Sequence, residues 1–249
     1  MIIKSFNYVY FIIVLFFIGL IFLLTKLLKN KTQKTKDTVM LSIGSFNILL
    51  FILFKYSLSK CVDDFNIWRE LPFHLCNINM ILFIFIIIFK NKFITNFSFY
   101  IAPLGALMAI TFPLPIYINT NIFLFKNIGF YCTHGILIVM GVLLGTLGYI
   151  KISYKDIFIL LPTMIVLSFS AFLFNIFLYN VTGVSTNYFY TMHTDNVGLL
   201  NAFWSLLPIK YIYLIPAILI LTIYVFVVNF CVKLFEKIKV KYFIKSKKS

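Results

Sequence analysis

The chain has 249 residues, of which 62% are hydrophobic and 12% charged. A soluble domain of this size keeps about a quarter of its residues charged to wet its surface, so these proportions exclude an ordinary soluble fold. A net charge of +15 would point to nucleic acid in a soluble protein, but here the lysines cluster at the ends of apolar blocks. Anionic lipid headgroups are the expected contact there, and nucleic acid is not an expected partner.

A transmembrane helix needs roughly 20 mostly apolar residues. The first block runs from about Phe6 to Leu28. Lys4 precedes it as in a signal peptide, but the block is too long for a signal h-region and lacks a small-x-small cleavage pattern. It reads as the first span. The second covers about Val39 to Leu58. The third runs from about Pro72 to Phe89, with Pro72 suited to a first helical turn. The fourth covers about Ile94 to Thr111 and is ended by Pro113 and Pro115. The fifth runs from about Gly129 to Ile150, the sixth from about Ile157 to Tyr179, and the seventh from about Tyr211 to Leu234. The longest connection, about Asn180 to Lys210, has room for a short re-entrant or interfacial piece. Residues 235–249 read as a basic cytoplasmic tail. The expected fold is an all-α, seven-helix transmembrane bundle in one polytopic domain.

Lysine and arginine asymmetry sets the orientation. The first-to-second, third-to-fourth and fifth-to-sixth loops and the tail, together with Lys26 and Lys233 at the span ends beside them, hold sixteen of the 22 basic residues. Seven spans put all sixteen on one side, which becomes the cytoplasm; six spans would split them. The N-terminus is then outside and the C-terminus inside.

Titratable groups within a bilayer are costly and tend to face an interior cavity. His74, His134 and His193 all fall toward the outer face of this topology. His74 and Cys76 lie at the outer start of the third helix, and His134 at the outer start of the fifth. On a regular helix His74 and Cys76 are about 200° apart, so a histidine from another helix is the better base for Cys76. His134 is at the right depth. Such a histidine could take the thiol proton and leave a nucleophilic thiolate. The plainer reading makes Cys76 a small buried hydrophobe and the histidines interfacial groups. Cys132 is a lesser candidate nucleophile.

His193 and Asp195 either orient a headgroup or are solvated loop residues. Asn77, Asn79 and Asn175 are candidates for hydrogen bonds between helices. Gly141-x-x-x-Gly145 matches the small-residue pattern of helix contacts and dimers. Cys61, Cys76, Cys132 and Cys231 form no CxxC pair and no metal-ligand spacing, and no phosphate loop or dinucleotide fingerprint is present. No cofactor, metal or disulfide framework is expected.

Four motifs in order resemble those of the YwaF-like bacterial integral membrane proteins. They are Leu71-Pro72-Phe73-His74-Leu75-Cys76-Asn77, Gly105-Ala106-Leu107 after Pro103, Thr133-His134-Gly135, and Thr186-Asn187-Tyr188. Phe73 stands where leucine is usual and Thr133 where serine is usual. That family is similar to the transmembrane protein 164 family, which resembles a cysteine-dependent phospholipid acyltransferase. The resemblance implies an acyl-enzyme on Cys76 assisted by His134. His74, Asn77, Asn79, Asn187 and Tyr188 would position groups or donate to the oxyanion, and membrane phospholipids would be the partners. The expected function is acyl transfer from lipid esters near the outer leaflet. The alternatives are a transporter or receptor with an outward polar cavity, or a lipid hydrolase on the same site.

Overall fold

The computed structural model describes residues 1–246, with side chains through Leu234. The side chains of the basic tail expected at 235–249 lie outside the described residues. Helix α1 (Tyr8–Leu28) starts where the Asn7 side chain accepts from the Tyr10 amide at 3.0 Å. Helix α2 (Gln33–Cys61) begins some six residues before the apolar block, at the Thr32 cap. Its polar first turns can extend the helix because capping, not hydrophobicity, decides where it starts. The short α3 (Ile67–Glu70) leads into α4 (Leu75–Phe89). Helices α5 (Lys92–Thr111) and α6 (Phe125–Thr146) follow. Helix α7 (Ile157–Thr182) ends on Gly183 at φ +70°, a conformation glycine takes without strain. Helix α8 (Gly198–Leu206) lies within the long connection, and α9 (Ile215–Ser246) is last.

Helices α1, α2, α5, α6, α7 and α9 are long and apolar enough to cross a membrane. Helix α4 is apolar but has only 15 residues. The chain is a multi-pass membrane protein of the all-α class.

The third block corrects one expectation. Pro72 is not in a first helical turn. Leu71 before it is extended (φ −57°, ψ 149°), as a residue preceding proline is biased to be. The turn continues through His74, which is the cap of α4. His74 therefore lies outside the helix, and the 200° separation from Cys76 does not apply.

Helix α6 is the centre, with 72% of its span buried against 11% for α1. It packs on α1, α2, α4 and α5, and α4 packs on α2 and α5. Its glycines receive side chains from those neighbours. A Cβ on Gly141 would stand 2.5 Å from Pro103, and one on Gly145 2.6 Å from Phe99. The Gly141-x-x-x-Gly145 face is thus filled by α5 of the same chain, and not left open for a second copy. A Cβ on Gly135 would meet the Phe17 ring of α1 at 2.0 Å. Phe17 is itself buried, so the ring cannot swing aside freely. Gly135→Ala is expected to cost about 1–3 kcal/mol, the usual range for overpacking. Thermal unfolding in micelles measures it, and Gly19→Ala, where nothing lies within 4 Å, is the matched control.

Contacts gather one set of helix ends together. Lys36 at the start of α2 donates to Leu147 O after α6, and Asp37 pairs with Lys90 after α4 at 3.0 Å. Asn96 near the start of α5 donates to Asp156 at the start of α7. Lys233 of α9 sits 3.9 Å from the centre of the Tyr154 ring. We call this the basic end. At the opposite end, strand β1 (Ile2–Ile3) pairs antiparallel with β2 (Thr120–Asn121) and ties the start of the chain to the α5–α6 loop.

Candidate active site

A cavity of about 560 Å³ opens between α2, α4, α5 and α6 on one side and α7, α9 and the long connection on the other. Its volume falls in the range of about 300–1,000 Å³ common to small-ligand sites. Cys76, His74, Asn77 and His134 all contribute to its wall. Two elements bring the thiol and the imidazole there. Cys76 is the second residue of α4, and its Sγ would lie 3.5 Å from a Cβ built on Gly105 of α5. The missing side chain at Gly105 leaves the thiol its room. His134 comes from α6, whose Gly141 and Gly145 meet Pro103 and Phe99 of the antiparallel α5. That register, continued up the two helices, brings His134 to within about a turn or two of Gly105 in depth.

The His134 ring is oriented. Its Nδ1 lies 2.8 Å from Phe130 O, one turn earlier on α6. A carbonyl oxygen can only accept, so in the neutral ring Nδ1 carries the proton and Nε2 keeps its lone pair. The Phe130 ring packs on it at 4.5 Å and is itself stacked on Tyr117 at 4.1 Å. The adjacent Thr133 hydroxyl is tied to Gly129 O at 2.7 Å. Gly135 admits Phe17, so each residue of the Thr-His-Gly run has a separate structural reason.

The cavity is chemically divided. Lys55, Arg69 and Glu70 line the part away from the basic end, and Lys55 and Glu70 form an ion pair. The walls from α7 and α9 are almost wholly apolar, with Ser168 the exception. Lys55 and Glu70 are each about a quarter exposed or less. Glu70→Gln leaves the ammonium without its partner. It is expected to lower stability by about 1–2 kcal/mol, between the values for exposed and for fully buried pairs. In a Lys55→Met, Glu70→Leu double variant most of that loss should return, as read by thermal unfolding.

The remaining predicted residues stand behind the wall. Asn79 is fully buried, and its amide donates to Leu75 O of its own helix at 2.9 Å. Asn175 bonds to the long connection, not to another helix. It donates to Tyr188 O and Thr191 Oγ1 and accepts from Thr186 and the Tyr188 amide. Asn187 accepts from the Met192 and His193 amides and donates to Asp195 and His193 O. His193 and Asp195 are 2.6 Å apart. The Tyr188 phenol, pushed up to about 12 by burial and then by Glu70, stays protonated and donates to Trp68 O. Cys132 is not part of the wall, and all four cysteines are free thiols.

The chain following Asn187 matters more than the sequence suggested. Phe189 and Tyr190 line the cavity, and both have φ near +57°. Such backbone costs about 1–3 kcal/mol per residue and persists only where its surroundings hold it. The Asn175 and Asn187 hydrogen bonds on either side are that support. The Tyr190 ring lies 5.6 Å from His74 and the Tyr188 ring 5.3 Å.

The sequence pattern of the TMEM164 family matches residues 3–229. The chain belongs to the TMEM164 family. No curated protein and no solved structure matches it. In this TMEM164-family chain, the matched region includes every residue named above in the cavity wall. Lys55, Arg69, Glu70 and Tyr190 were not singled out as site residues by the sequence, and Gly105 was read only as part of a motif. One signal was available for Lys55: it is a basic residue within a span, several residues from its end.

Proposed function

We propose that this protein is a membrane acyltransferase that uses Cys76 as nucleophile and His134 as base on lipid acyl esters. The observation that carries the reading is the shared cavity. A thiol and an imidazole with a free Nε2 line one space that is charged at one end and apolar at the other. A membrane phospholipid has the same division.

The chemistry balances with these two groups. His134 Nε2 takes the thiol proton as Cys76 Sγ attacks the ester carbonyl. The thioester forms, the ester C–O bond breaks, and His134 returns the proton to the departing lysolipid oxygen. An acceptor hydroxyl, such as that of another lysolipid, then gives its proton to His134 and attacks the thioester. The new ester forms and the thiol is restored. We assign His74 and Asn77, in the wall, to positioning the ester and the oxyanion. Asn79, Asn187 and Tyr188 support the wall from behind.

We further propose seven spans, with α4 as the third. The gathering of the lysine-rich ends supports a cytoplasmic basic end and therefore an outer-leaflet cavity in the cell membrane, with the N-terminus outside and the C-terminus inside.

Reconstitution with phosphatidylcholine carrying an alkyne-tagged acyl chain tests the activity. The expected result is a hydroxylamine-sensitive acyl group on the protein and tagged product that depends on added lysolipid. Tagged free fatty acid formed equally without acceptor would make the protein a hydrolase. No acyl group on the protein and no product from any donor would leave a transporter or receptor.

A further inference from the structure

Helices α7 and α9 stand apart from the rest of the bundle. They pack chiefly on each other and on the loops at their ends, while α1, α2, α4, α5 and α6 form the closely packed body. The pair is fastened to that body at two levels. At the basic end Tyr100 donates to Asp156 at 3.0 Å, and Asn229 donates to Tyr100 at 3.0 Å. At the other end Arg69 donates to Ser185 O at 3.2 Å, and Phe73 packs edge-on against Phe174 at 5.2 Å. Between these fastenings runs the apolar part of the cavity.

Its lining extends along α5 from Ile101 to the cap residue Phe112, eleven steps along the chain, or about 16 Å of helix. Ile101 follows Tyr100, Leu161 lies five residues from Asp156, and Leu221 lies eight from Asn229. All three belong to or pack on the main core. At this end the lining residues nearest in sequence to those hydrogen bonds, one from each of the three helices, are therefore aliphatic. The ionisable part of the wall, with Lys55 and Glu70, is remote from it.

We infer that this apolar arm seats the single acyl chain carried on Cys76, and that Ile101, Leu161 and Leu221 set the length of chain that is accepted. The inference rests on Cys76 being the acylated residue. An aliphatic stop works because a methylene too many must displace packed side chains, while a methylene too few leaves a void.

The test uses the full chain in micelles with saturated fatty-acyl N-acetylcysteamine thioesters of graded length. Cys76 exchanges its proton for the acyl group, and the carrier leaves as its thiol. Intact mass then reads which chains the protein accepts. Wild type should show an upper length limit. Leu161→Ala and Leu221→Ala should raise labelling by the first homologue beyond that limit about tenfold, and Leu161→Trp should lower the limit. Leu161 is partly exposed, so its variants are the ones expected to fold normally, with an unchanged thermal midpoint as the check. Acylated Cys76 with the same length profile in all variants would overturn the inference. If no thioester acylates wild-type Cys76, the nucleophile assignment falls instead. A diazirine-bearing fatty acid then decides the seat: crosslinks on α5, α7 and α9 near these residues support it, and their absence overturns it.

Discussion

Cys76→Ala is expected to abolish the acyl-enzyme and all acyl transfer, with product at the level of protein-free vesicles. Every step proposed passes through the sulfur, and no other thiol lines the cavity: Cys132 is outside its wall, and Cys61 and Cys231 are exposed elsewhere. The substitution removes one atom beside Gly105, where the gap is already tolerated, so folding should survive. An unchanged thermal midpoint together with lost labelling is the expected pair of results. Labelling and transfer equal to wild type would remove Cys76 from the mechanism.

His134→Gln is expected to slow acylation by about 10²–10⁴-fold, the range a positioned base contributes. The amide cannot take a proton, yet it can still donate to Phe130 O and fill much of the space. Lipid affinity should change little, so the loss falls on kcat and not on KM. Added imidazole should recover part of the rate, an effect that a purely structural role for His134 would not show. Single-turnover acylation with the tagged donor measures both.

The bundle was largely legible in the sequence because each span is an apolar block with a lysine at or near at least one end. The exceptions have local causes. Helix α2 outruns its block because Thr32 caps it and Asp37 finds Lys90 and Tyr149 as partners. Helix α4 starts late because Pro72 forces an extended Leu71. The long connection carries the short helix α8. At the site, Cys76, His74, Asn77 and His134 could be nominated from chemistry and order alone. The fit of Phe17 into Gly135 could not, since it depends on which face α1 turns to α6. Nor could the meeting of Lys55 and Glu70, which needs the chain to fold back between α2 and α3.

On the seven-span topology proposed above, the shortness of α4 has a consequence for the surrounding lipid. Its 15 residues cover about 22 Å, against a hydrocarbon core of about 30 Å. A bilayer meets such a deficit by thinning locally. Lipids bordering Ile81, Phe85 and Ile88, which are exposed on α4, would sit in a dimple. Their ester carbonyls would descend toward the depth of the first turn of that helix, on the side opposite the cavity-facing Cys76. On the acyl-transfer chemistry proposed above, a lipid passing from such a dimple into the cavity would start near the depth of the thiol.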